Sequence, residues 1–401
     1  MLQRFFRNRD GGVAPMLALA LIPMMAATGA AIDYGRASAA RTAMQSALDS
    51  TVLMVSSKPG NQSAANDYFN AVFSGREVEN LQVTVNTGNA NNGTAVTANA
   101  SGSVKSLVMR AFGIPLINVA VRAAAEVQTD DLGCVLALDP GAAGAASAAG
   151  STTVTLNNCS LYDNSNNTAA LTVSGSARIE ALSVGVVGDV SGNTSVITTE
   201  GVRTGMTPVD DPYKDVQIPS FGACTEQKFN PKDEVTINPG VYCNGVIINA
   251  GAVVTFSPGV YYFDRGKFQV NGGSTIKGRG VTLVFTSSTG SDWAVPTING
   301  GAVVDLTAPL FGPTAGVVVL ADRRIPAGTT FKLNGGSSQY FGGAVYAPSA
   351  TIDFVGGSGT STSCTQVIGA VVVFNGNSSL AVNCSSYKTR PFGARVLRLS
   401  A

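Results

Sequence analysis

An uncharged apolar run at residues 12–32 constrains this chain more than any other feature of its sequence. A helix needs about 20 apolar residues to cross a hydrocarbon core of roughly 30 Å, so the run is long enough to span a membrane. Arg4, Arg7 and Arg9 precede the run, and Asp33 follows it. Because basic residues stay on the cytoplasmic side of a span, the sequence predicts a cytoplasmic N-terminus and an exported remainder.

Two alternatives to an uncleaved anchor share these features. A cleaved signal peptide also has a basic start and an apolar run, and residues 27–29 (Ala-Thr-Gly) resemble its small-residue cleavage site. A type IV prepilin requires a glutamate five residues after a cleavable glycine, but Leu17 occupies that position after Gly12. The length of the run favours the uncleaved anchor over the signal peptide, and Leu17 argues against the prepilin.

A helical pattern continues beyond the apolar run, over residues 33–57. Ala40, Met44 and Leu48 follow one another at four-residue spacing, which places them on one face of a helix. This face has two interpretations. It packs onto the protein's own domain, or it is an interaction stem whose Ala40, Met44 and Leu48 contact a partner.

The N-terminal segment resembles a known family. The Ala/Leu-rich span, the motif Asp33-Tyr34-Gly35-Arg36 and the alanine-rich segment 41–49 are similar to the N-terminal module of TadE/TadG-like proteins. These proteins belong to the tight-adherence (Flp) pilus machinery. The resemblance covers residues 7–57 strongly and extends more loosely to residue 127. It implies a single-pass protein of the bacterial inner membrane, with a cytoplasmic N-terminus and with most of the chain periplasmic or directed to the surface.

The resemblance also implies a role and partners. The expected role is to support assembly or anchoring of Flp-type pili without enzymatic activity. The expected partners are other parts of the pilus machinery, namely the inner-membrane platform and the pilins or pilin-like subunits.

Composition argues against several other classes of function. Histidine is absent, which removes the commonest general base and most catalytic zinc sites. Charged residues make up 13% of the chain, and the net charge is +1, so no basic surface is available to attract nucleic acid. We therefore expect no catalytic residues, no cofactor, no metal and no nucleic-acid partner.

The six cysteines fall into three sequential pairs. An exported chain favours disulfides, and the absence of a C-x-x-C motif argues against a redox or zinc site. Six cysteines permit fifteen connectivities. The spacing favours three local bonds, with free buried thiols as the alternative. The predicted disulfides are Cys134–Cys159, Cys224–Cys243 and Cys364–Cys384.

The sequence predicts four segments. A basic start and transmembrane anchor (1–32) is followed by a helical stem (33–57) and a membrane-proximal α+β region (58–131). Alternating apolar runs predict strands within this third region. The fourth segment, 132–401, is rich in short β-branched runs separated by Gly, Asn, Ser and Pro.

Internal repeats indicate the fold of that last segment. Residues 235–242 (VTINPGVY) recur as 254–261 (VTFSPGVY), and Asn-Gly-Gly begins at Asn271, Asn299 and Asn334. A period near 20 residues, with Gly and Asn at corners that require positive φ, is typical of the coils of a parallel β-helix. We therefore predict a mainly β fold with a right-handed parallel β-helix-like C-terminal domain of about 12 coils. A β-sandwich or jelly roll remains the alternative.

Pectin-cleaving enzymes are also β-helices, so an exported carbohydrate-active or carbohydrate-binding protein is the alternative function. The one acidic cluster, Asp210, Asp211 and Asp215, lies in a proline-rich loop where a solvated turn is the simpler interpretation. Asp139 is the nearest match to a von Willebrand-type metal site, but Pro140 and alanines replace its ligating positions. A set of aromatic residues would line a sugar-binding face or, more simply, stack inside the coil. This set comprises Tyr242, Tyr261, Tyr262, Phe263, Trp293 and Tyr346.

Overall fold

The structure, a computed structural model, describes most of the chain. The described residues are 13–57, 62–74, 78–90, 93–130, 132–192, 196–336, 339–356, 364–381, 384 and 386–400. The basic start with Arg4, Arg7 and Arg9 therefore lies outside the described residues.

The chain forms two compact units. The first comprises Met1–Thr129 together with Arg395–Ala401, and the second comprises Asp130–Ala394. The boundaries of the four predicted segments stay a prediction, and in the structure the last residues of segment 132–401 group with the first unit. These residues form a strand that pairs with a distant strand, which local sequence patterns do not reveal.

The first unit combines two helices with an antiparallel sheet. A short 3₁₀ turn, Met109–Phe112, lies in the connection between the second and third strands. The elements are α1 (Val13–Ser57), α2 (Gln62–Val72), β1 (Glu79–Ala90), β2 (Gly93–Lys105), β3 (Leu116–Asp130) and β29 (Ala394–Ser400). The sheet order is β1-β2-β3-β29, with β1 and β3 antiparallel to β2.

The sheet of the first unit buries one face against the second half of α1. Alternate residues of β2, such as Val96 and Ala98, are buried, as expected where successive side chains point to opposite faces. They pack with Met44 and Leu48 of α1 and with Phe69 of α2. This core holds α1 against the sheet for most of its length after Asp33.

The second unit consists of short strands that belong to one sheet. Its strands are β4 (Gly133–Ala137), β5 (Ala146–Ala148), β6 (Thr153–Asn157), β7 (Ser160–Asp163), β8 (Leu171–Val173), β9 (Arg178–Ala181), β10 (Val184–Val186), β11 (Val190–Ser191), β12 (Val196–Thr198), β13 (Val202–Arg203), β14 (Glu226–Phe229), β15 (Glu234–Ile237), β16 (Gly240–Ile248), β17 (Val253–Phe256), β18 (Gly259–Asp264), β19 (Lys267–Val270), β20 (Thr275–Gly278), β21 (Val281–Thr286), β22 (Val295–Ile298), β23 (Val303–Thr307), β24 (Val317–Ala321), β25 (Thr330–Gly336), β26 (Gln339–Gly356), β27 (Thr365–Phe374) and β28 (Ser378–Ala381).

Strands of the second unit pair in parallel with the corresponding strand of the next turn of chain. Thus β4 pairs with β7, β7 with β10 and β10 with β13. The sequence repeat is in register, because Val235 of β15 pairs with Val254 of β17. The prediction of a mainly β chain is confirmed, and the parallel pairing disfavours the sandwich, whose sheets are antiparallel. The β-helix itself, like its handedness, stays a prediction.

The turns of chain do not pair in the order of the sequence. β27 pairs with β4 and β5, and β28 pairs with β6, so the last turn of chain lies beside the first. Followed from each strand to its hydrogen-bonded neighbour, the paired strands begin at β14 and continue to β27. They then pass from β27 to β4 and end at β13. As a result, the chain enters and leaves the second unit inside the stack, where the Gly133 N–H donates to the Phe392 carbonyl at 2.8 Å.

One corner of the stack is a ladder of asparagine and glycine residues. Asn249 donates its side-chain amide to Asn230 at 2.6 Å, and Asn299 donates to Asn271 at 3.3 Å. Gly251 and Gly273 follow at φ 84° and 80°, a conformation that glycine adopts at little cost. The predicted corner residues therefore occupy successive rungs of one edge.

Candidate functional site

The first half of α1 is exposed along its apolar side chains. The helix is long and apolar enough to cross a membrane, over a candidate span of Met16–Ser56, and only 11% of its most apolar window is buried. Leu17, Leu19 and Ile22 are each more than half exposed. A core helix of a soluble protein would bury such residues, so this exposure is consistent with a membrane anchor.

Asp33 fixes the point where the apolar run ends. One carboxylate oxygen accepts the N–H of Leu107 at 2.7 Å, and the other accepts those of Val108 and Met109 at 2.9 and 2.8 Å. Arg36 donates to the Lys105 carbonyl at 2.9 Å. Asp33 is buried, so these three bonds satisfy its carboxylate and join α1 to the loop between β2 and β3.

The predicted stem residues face the interior of the first unit. Met44 and Leu48 are fully buried, and Ala40 packs against the same core while partly exposed. Their burial favours the first of the two interpretations, a helix packed onto its own domain. Contact between Ala40, Met44 or Leu48 and a partner stays an untested prediction, and their positions do not favour it.

The opposite face of α1 remains exposed and is made of small side chains. Its members are Gly35, Ser38, Ala39, Thr42 and Ser46. A Cβ added at Gly35 would meet no atom within 4 Å. We call this set the small-residue face, and it continues the exposed surface of the apolar run.

Residues 11–58 match the family model described as Tad, putative Flp pilus-assembly TadE/G-like. The resemblance of this N-terminal segment to the family is thereby confirmed. The match ends at the last turn of α1 and covers the apolar run, the Asp33 motif and the small-residue face. No curated protein and no solved structure matches the chain significantly.

The structure joins the six cysteines in the three predicted pairs. Cys134–Cys159 links β4 to the residue before its partner strand β7, with a sequence separation of 25. Cys224–Cys243 links the segment that precedes β14 to β16, with a separation of 19. Cys364–Cys384 closes a loop with a separation of 20. All three bonds therefore connect segments that are close in sequence.

A long connection crosses the outer face of the second unit. Residues 204–225, which we call the strap, lead from β13 at one end of the series of strands to β14 at the other. The strap buries Val209, Tyr213 and Val216 against that face. Its last segment stacks Phe221 on Tyr262, with ring centroids 4.8 Å apart. Because the strap covers this face, strands such as β24 are buried on both sides.

Tyr213 is the best-buried point of the strap. Its hydroxyl donates to Gln366 of β27 at 3.0 Å and accepts the N–H of Arg390 at 2.9 Å. Burial raises the pKa of Tyr213 well above its ordinary value, so the hydroxyl stays protonated. Tyr213 thus ties the strap to the middle of the stack and to the segment that leaves the second unit.

The acidic cluster belongs to the strap and is bound by arginines. Asp211 accepts a hydrogen bond from the Tyr346 hydroxyl at 2.7 Å and lies 3.4 Å from Arg323. Asp215 forms an ion pair with Arg390, and this hydrogen bond lowers the pKa of Asp215. Asp210 also interacts with other residues. This arrangement assigns Asp211 and Asp215 a structural role in holding the strap.

A cleft of about 260 Å³ lies beside the strap, lined by Val216–Ile218, Leu320–Arg324 and Tyr346. Asp322 is buried in its wall and binds Arg324 through a 2.7 Å ion pair. Burial alone would raise the pKa of Asp322, but the hydrogen bonds from Arg324 and Thr286 outweigh it, and the pKa is lowered. The charged groups of the cleft are therefore paired, Asp322 with Arg324 and Arg323 with Asp211 of the strap.

The aromatic residues considered for sugar binding pack against other side chains of the protein. Tyr242 and Tyr261 stack with centroids 6.1 Å apart, and Phe263 stacks on Phe285 at 5.3 Å. Tyr346 lies under the strap against Tyr213. Their positions agree with the simpler interpretation of internal aromatic stacks. Trp293, half-buried, packs against the core with Arg324 over its ring at 5.4 Å.

Two candidate metal sites have structural explanations. Asp139 accepts the N–H groups of Gly141 and Ala142, both at 2.9 Å, which closes a turn. In the described part of the chain, Cys224, Cys243 and Asp264 bring their ligand atoms within 4.8 Å of one another. Since the two sulfurs form a disulfide, they offer no thiolate to a metal.

Sequence reasoning missed the strap and its partners. Its signal was the proline-rich loop just before Cys224, which lacks the repeat of the neighbouring segments. The residues that bind it, Arg323, Tyr346 and Arg390, are far away in sequence, so no local pattern connects them with the strap.

Proposed function

We propose that this protein is a non-enzymatic, membrane-anchored component that supports assembly or anchoring of a tight-adherence pilus. The observation that carries the proposal is the match of residues 11–58 to the TadE/G-like family, on a helix whose first half is exposed and apolar. The N-terminus would be cytoplasmic and the two units exported, since basic residues precede the span. The length of the apolar run favours an uncleaved anchor over a cleaved signal peptide.

We further propose that the second unit is a right-handed parallel β-helix that acts as a rigid exported domain. Parallel pairing of successive turns, an asparagine corner ladder and internal aromatic stacks support this fold. Almost all crossover connections between parallel strands are right-handed, which supports the assigned handedness. The disulfides and the strap would limit its opening outside the cell.

We propose the small-residue face of α1 as the contact for pilus-machinery partners. Small side chains let another helix approach closely, both within a membrane and at its edge. The face lies within the segment that matches the family, and the structure leaves it exposed. By contrast, Met44 and Leu48 are already buried in the first unit.

Two arginine substitutions, each at an exposed alanine, test this contact. Ala39→Arg places a large charge on the small-residue face, and Ala71→Arg does the same on the exposed side of α2. We expect Ala39→Arg to reduce the number of surface pili severalfold while membrane-bound protein stays at the wild-type amount. Ala71→Arg should leave pili at the wild-type number. Equal pilus counts in the two variants would contradict the proposed contact.

The carbohydrate alternative has less support. The aromatic residues that would stack on sugars pack inside the protein, and the acidic cluster is bound by Arg323 and Arg390. An acid–base mechanism needs positioned groups with suitable pKa values that converge on a substrate site. We therefore favour mechanical support over catalysis as the work of the exported domain.

A further inference from the structure

The loop between β2 and β3, residues 106–115, exposes apolar side chains beside the membrane-spanning part of α1. Leu107 is 60% exposed, Phe112 51% and Ile114 45%. The neighbouring Leu116, at the start of β3, is 39% exposed. We call Leu107, Phe112 and Ile114 the apolar tip. Several large apolar side chains exposed on one short loop indicate a surface that lipid or another protein covers.

Contacts within the first unit locate this loop along α1. Asp33 binds the N–H groups of Leu107–Met109, and the Val108 side chain packs so closely on Gly29 that a Cβ there would clash. Gly29 precedes Asp33 by four residues, or about 6 Å along a helix. The loop therefore reaches back along the apolar run instead of ending at Asp33.

The direction of the sheet places the same loop at the end nearest the span. Arg36 binds the carbonyl of Lys105, at the end of β2, whereas Gln45 binds the carbonyl of Arg122, far along β3, at 2.9 Å. Moving along α1 away from the apolar run thus means moving along the sheet away from the loop. The β2–β3 connection therefore lies at the end of the sheet nearest the apolar run.

We propose that the apolar tip inserts into the interfacial region of the lipid bilayer, beside the span. The occupant of this surface is lipid, because the exposed tip is continuous with the exposed apolar surface of α1. A depth of about 6 Å matches the 5–10 Å to which interfacial segments bury their apolar faces. Arg110, exposed on the same turn, is placed to bind lipid phosphate.

Insertion of the tip would attach the first unit to the membrane at a second point, besides the span. A single helix leaves a domain free to tilt and rotate about the point where it leaves the bilayer. The Asp33 bonds and the inserted tip fix the sheet against both movements. The small-residue face then keeps a constant orientation for a partner, so this inference rests on the proposed membrane anchor.

Depth-dependent fluorescence quenching of the full chain in phospholipid vesicles tests the insertion. Trp293, the single tryptophan, is replaced by phenylalanine, and Phe112→Trp introduces a reporter at the tip. Lipids carry a nitroxide either near the headgroup or near the middle of the acyl chain. We expect Trp at position 112 to be quenched severalfold more by the shallow nitroxide than by the deep one, and to resist the aqueous quencher acrylamide.

Two further reporters make the result decisive. Tyr68→Trp, on the exposed side of α2, should be quenched by acrylamide and by neither lipid. Leu21→Trp, in the apolar run, should be quenched most by the deep nitroxide. If Leu21→Trp is quenched as expected but Phe112→Trp behaves like Tyr68→Trp, the insertion is wrong while the anchor stands. Failure of Leu21→Trp would instead contradict the anchor itself.

A remaining outcome separates lipid from protein. If Phe112→Trp resists acrylamide without quenching by either lipid, a second copy of the chain covers the tip, and the lipid assignment is overturned. A variant with Leu107→Asp and Ile114→Asp, combined with Phe112→Trp, should lose lipid quenching and become accessible to acrylamide. Unchanged lipid quenching in this variant would also contradict insertion by the tip.

Discussion

Asp163, at the end of β7, is a buried acidic side chain whose hydrogen bonds do not fully compensate its burial. Its two oxygens accept the N–H groups of Ala146 and Ser165 at 2.9 and 2.8 Å. Burial is the largest influence and, with the nearby Asp139, raises the pKa of Asp163 to about 6. The folded second unit therefore favours the protonated form of this residue at a mildly acidic pH.

The stability of the second unit should rise as the pH falls from 7.5 to 5. The pKa of Asp163 is near 3.8 in the unfolded chain and about 6 in the folded chain. Between these two pH values the folded state therefore binds more protons than the unfolded state. The expected gain from this group is about 1.4 kcal/mol at pH 5 relative to pH 7.5. The chain has no histidine, so few other groups titrate in this window. Urea unfolding at the two pH values measures the gain.

The variant Asp163→Asn should flatten this dependence. It cannot titrate, although its amide cannot accept both backbone N–H groups and should lower stability at every pH. Asp189→Asn, at an exposed position, is the matched control and should keep the wild-type slope. An unchanged slope in Asp163→Asn would assign the pH dependence to another group.

At the scale of elements, the strap is the feature that links distant strands of the second unit. Tyr213 joins it to β27 and to Arg390, and Cys224 joins its end to Cys243. Apolar side chains of the strap pack on the outer face of the strands that it crosses, and the hydrogen bonds of Tyr213 lie in the middle of this contact. Without the strap, these strands would be exposed on that face. Loss of one central bond should therefore weaken the whole crossing.

Tyr213→Phe should destabilise the second unit by about 1–3 kcal/mol, because the part-buried N–H of Arg390 and the Gln366 side chain each lose a hydrogen bond to the hydroxyl. Hydrogen exchange should increase at the amides of the strap and of β27. Tyr34→Phe, which removes a hydroxyl from a residue that is 74% exposed in the first unit, is the control and should change neither. Identical unfolding of Tyr213→Phe and wild type would show that packing alone holds the strap.

The sequence predicts elements whose signals are local. The corner glycines and asparagines and the in-register pairing of Val235 with Val254 follow from turn chemistry and a short repeat. The pairing of β27 with β4 joins Val367 to Val135, and nothing near either residue indicates the other. For the same reason, the sequence does not predict the partners of the strap or the pairing of β29 in the first unit. The prediction of about 12 coils also assumed equal turns, whereas Ile276 pairs with Val304 across a longer insertion.

At the scale of the whole molecule, the chain passes between its two units twice. It leaves the first unit after β3 and returns as β29, which pairs beside β3 in the same sheet. The second unit is thus an insertion between two neighbouring strands of the first. Two covalent connections, instead of one, therefore join the two units.

Removal of residues 395–401 should destabilise the first unit selectively. β3 would become an edge strand and lose its backbone hydrogen bonds to β29. We expect faster proteolysis and faster hydrogen exchange in β2 and β3, with the unfolding of the second unit unchanged. Leu399→Ala, which keeps the backbone pairing of a half-exposed residue, is the control and should have little effect. Equal destabilisation of both units by the truncation would contradict this division.

Photo-crosslinking from the small-residue face tests the central claim most directly. A photoreactive amino acid replaces Ala39 in the full chain, in cells that build the pilus, and the same probe replaces Ala71 as the control. The account predicts that the chain stays in the membrane fraction with its N-terminal segment intact, and that only the Ala39 probe captures a protein of the pilus machinery. Recovery of a soluble chain that begins after the apolar run, or capture of the same proteins from both positions, would contradict it.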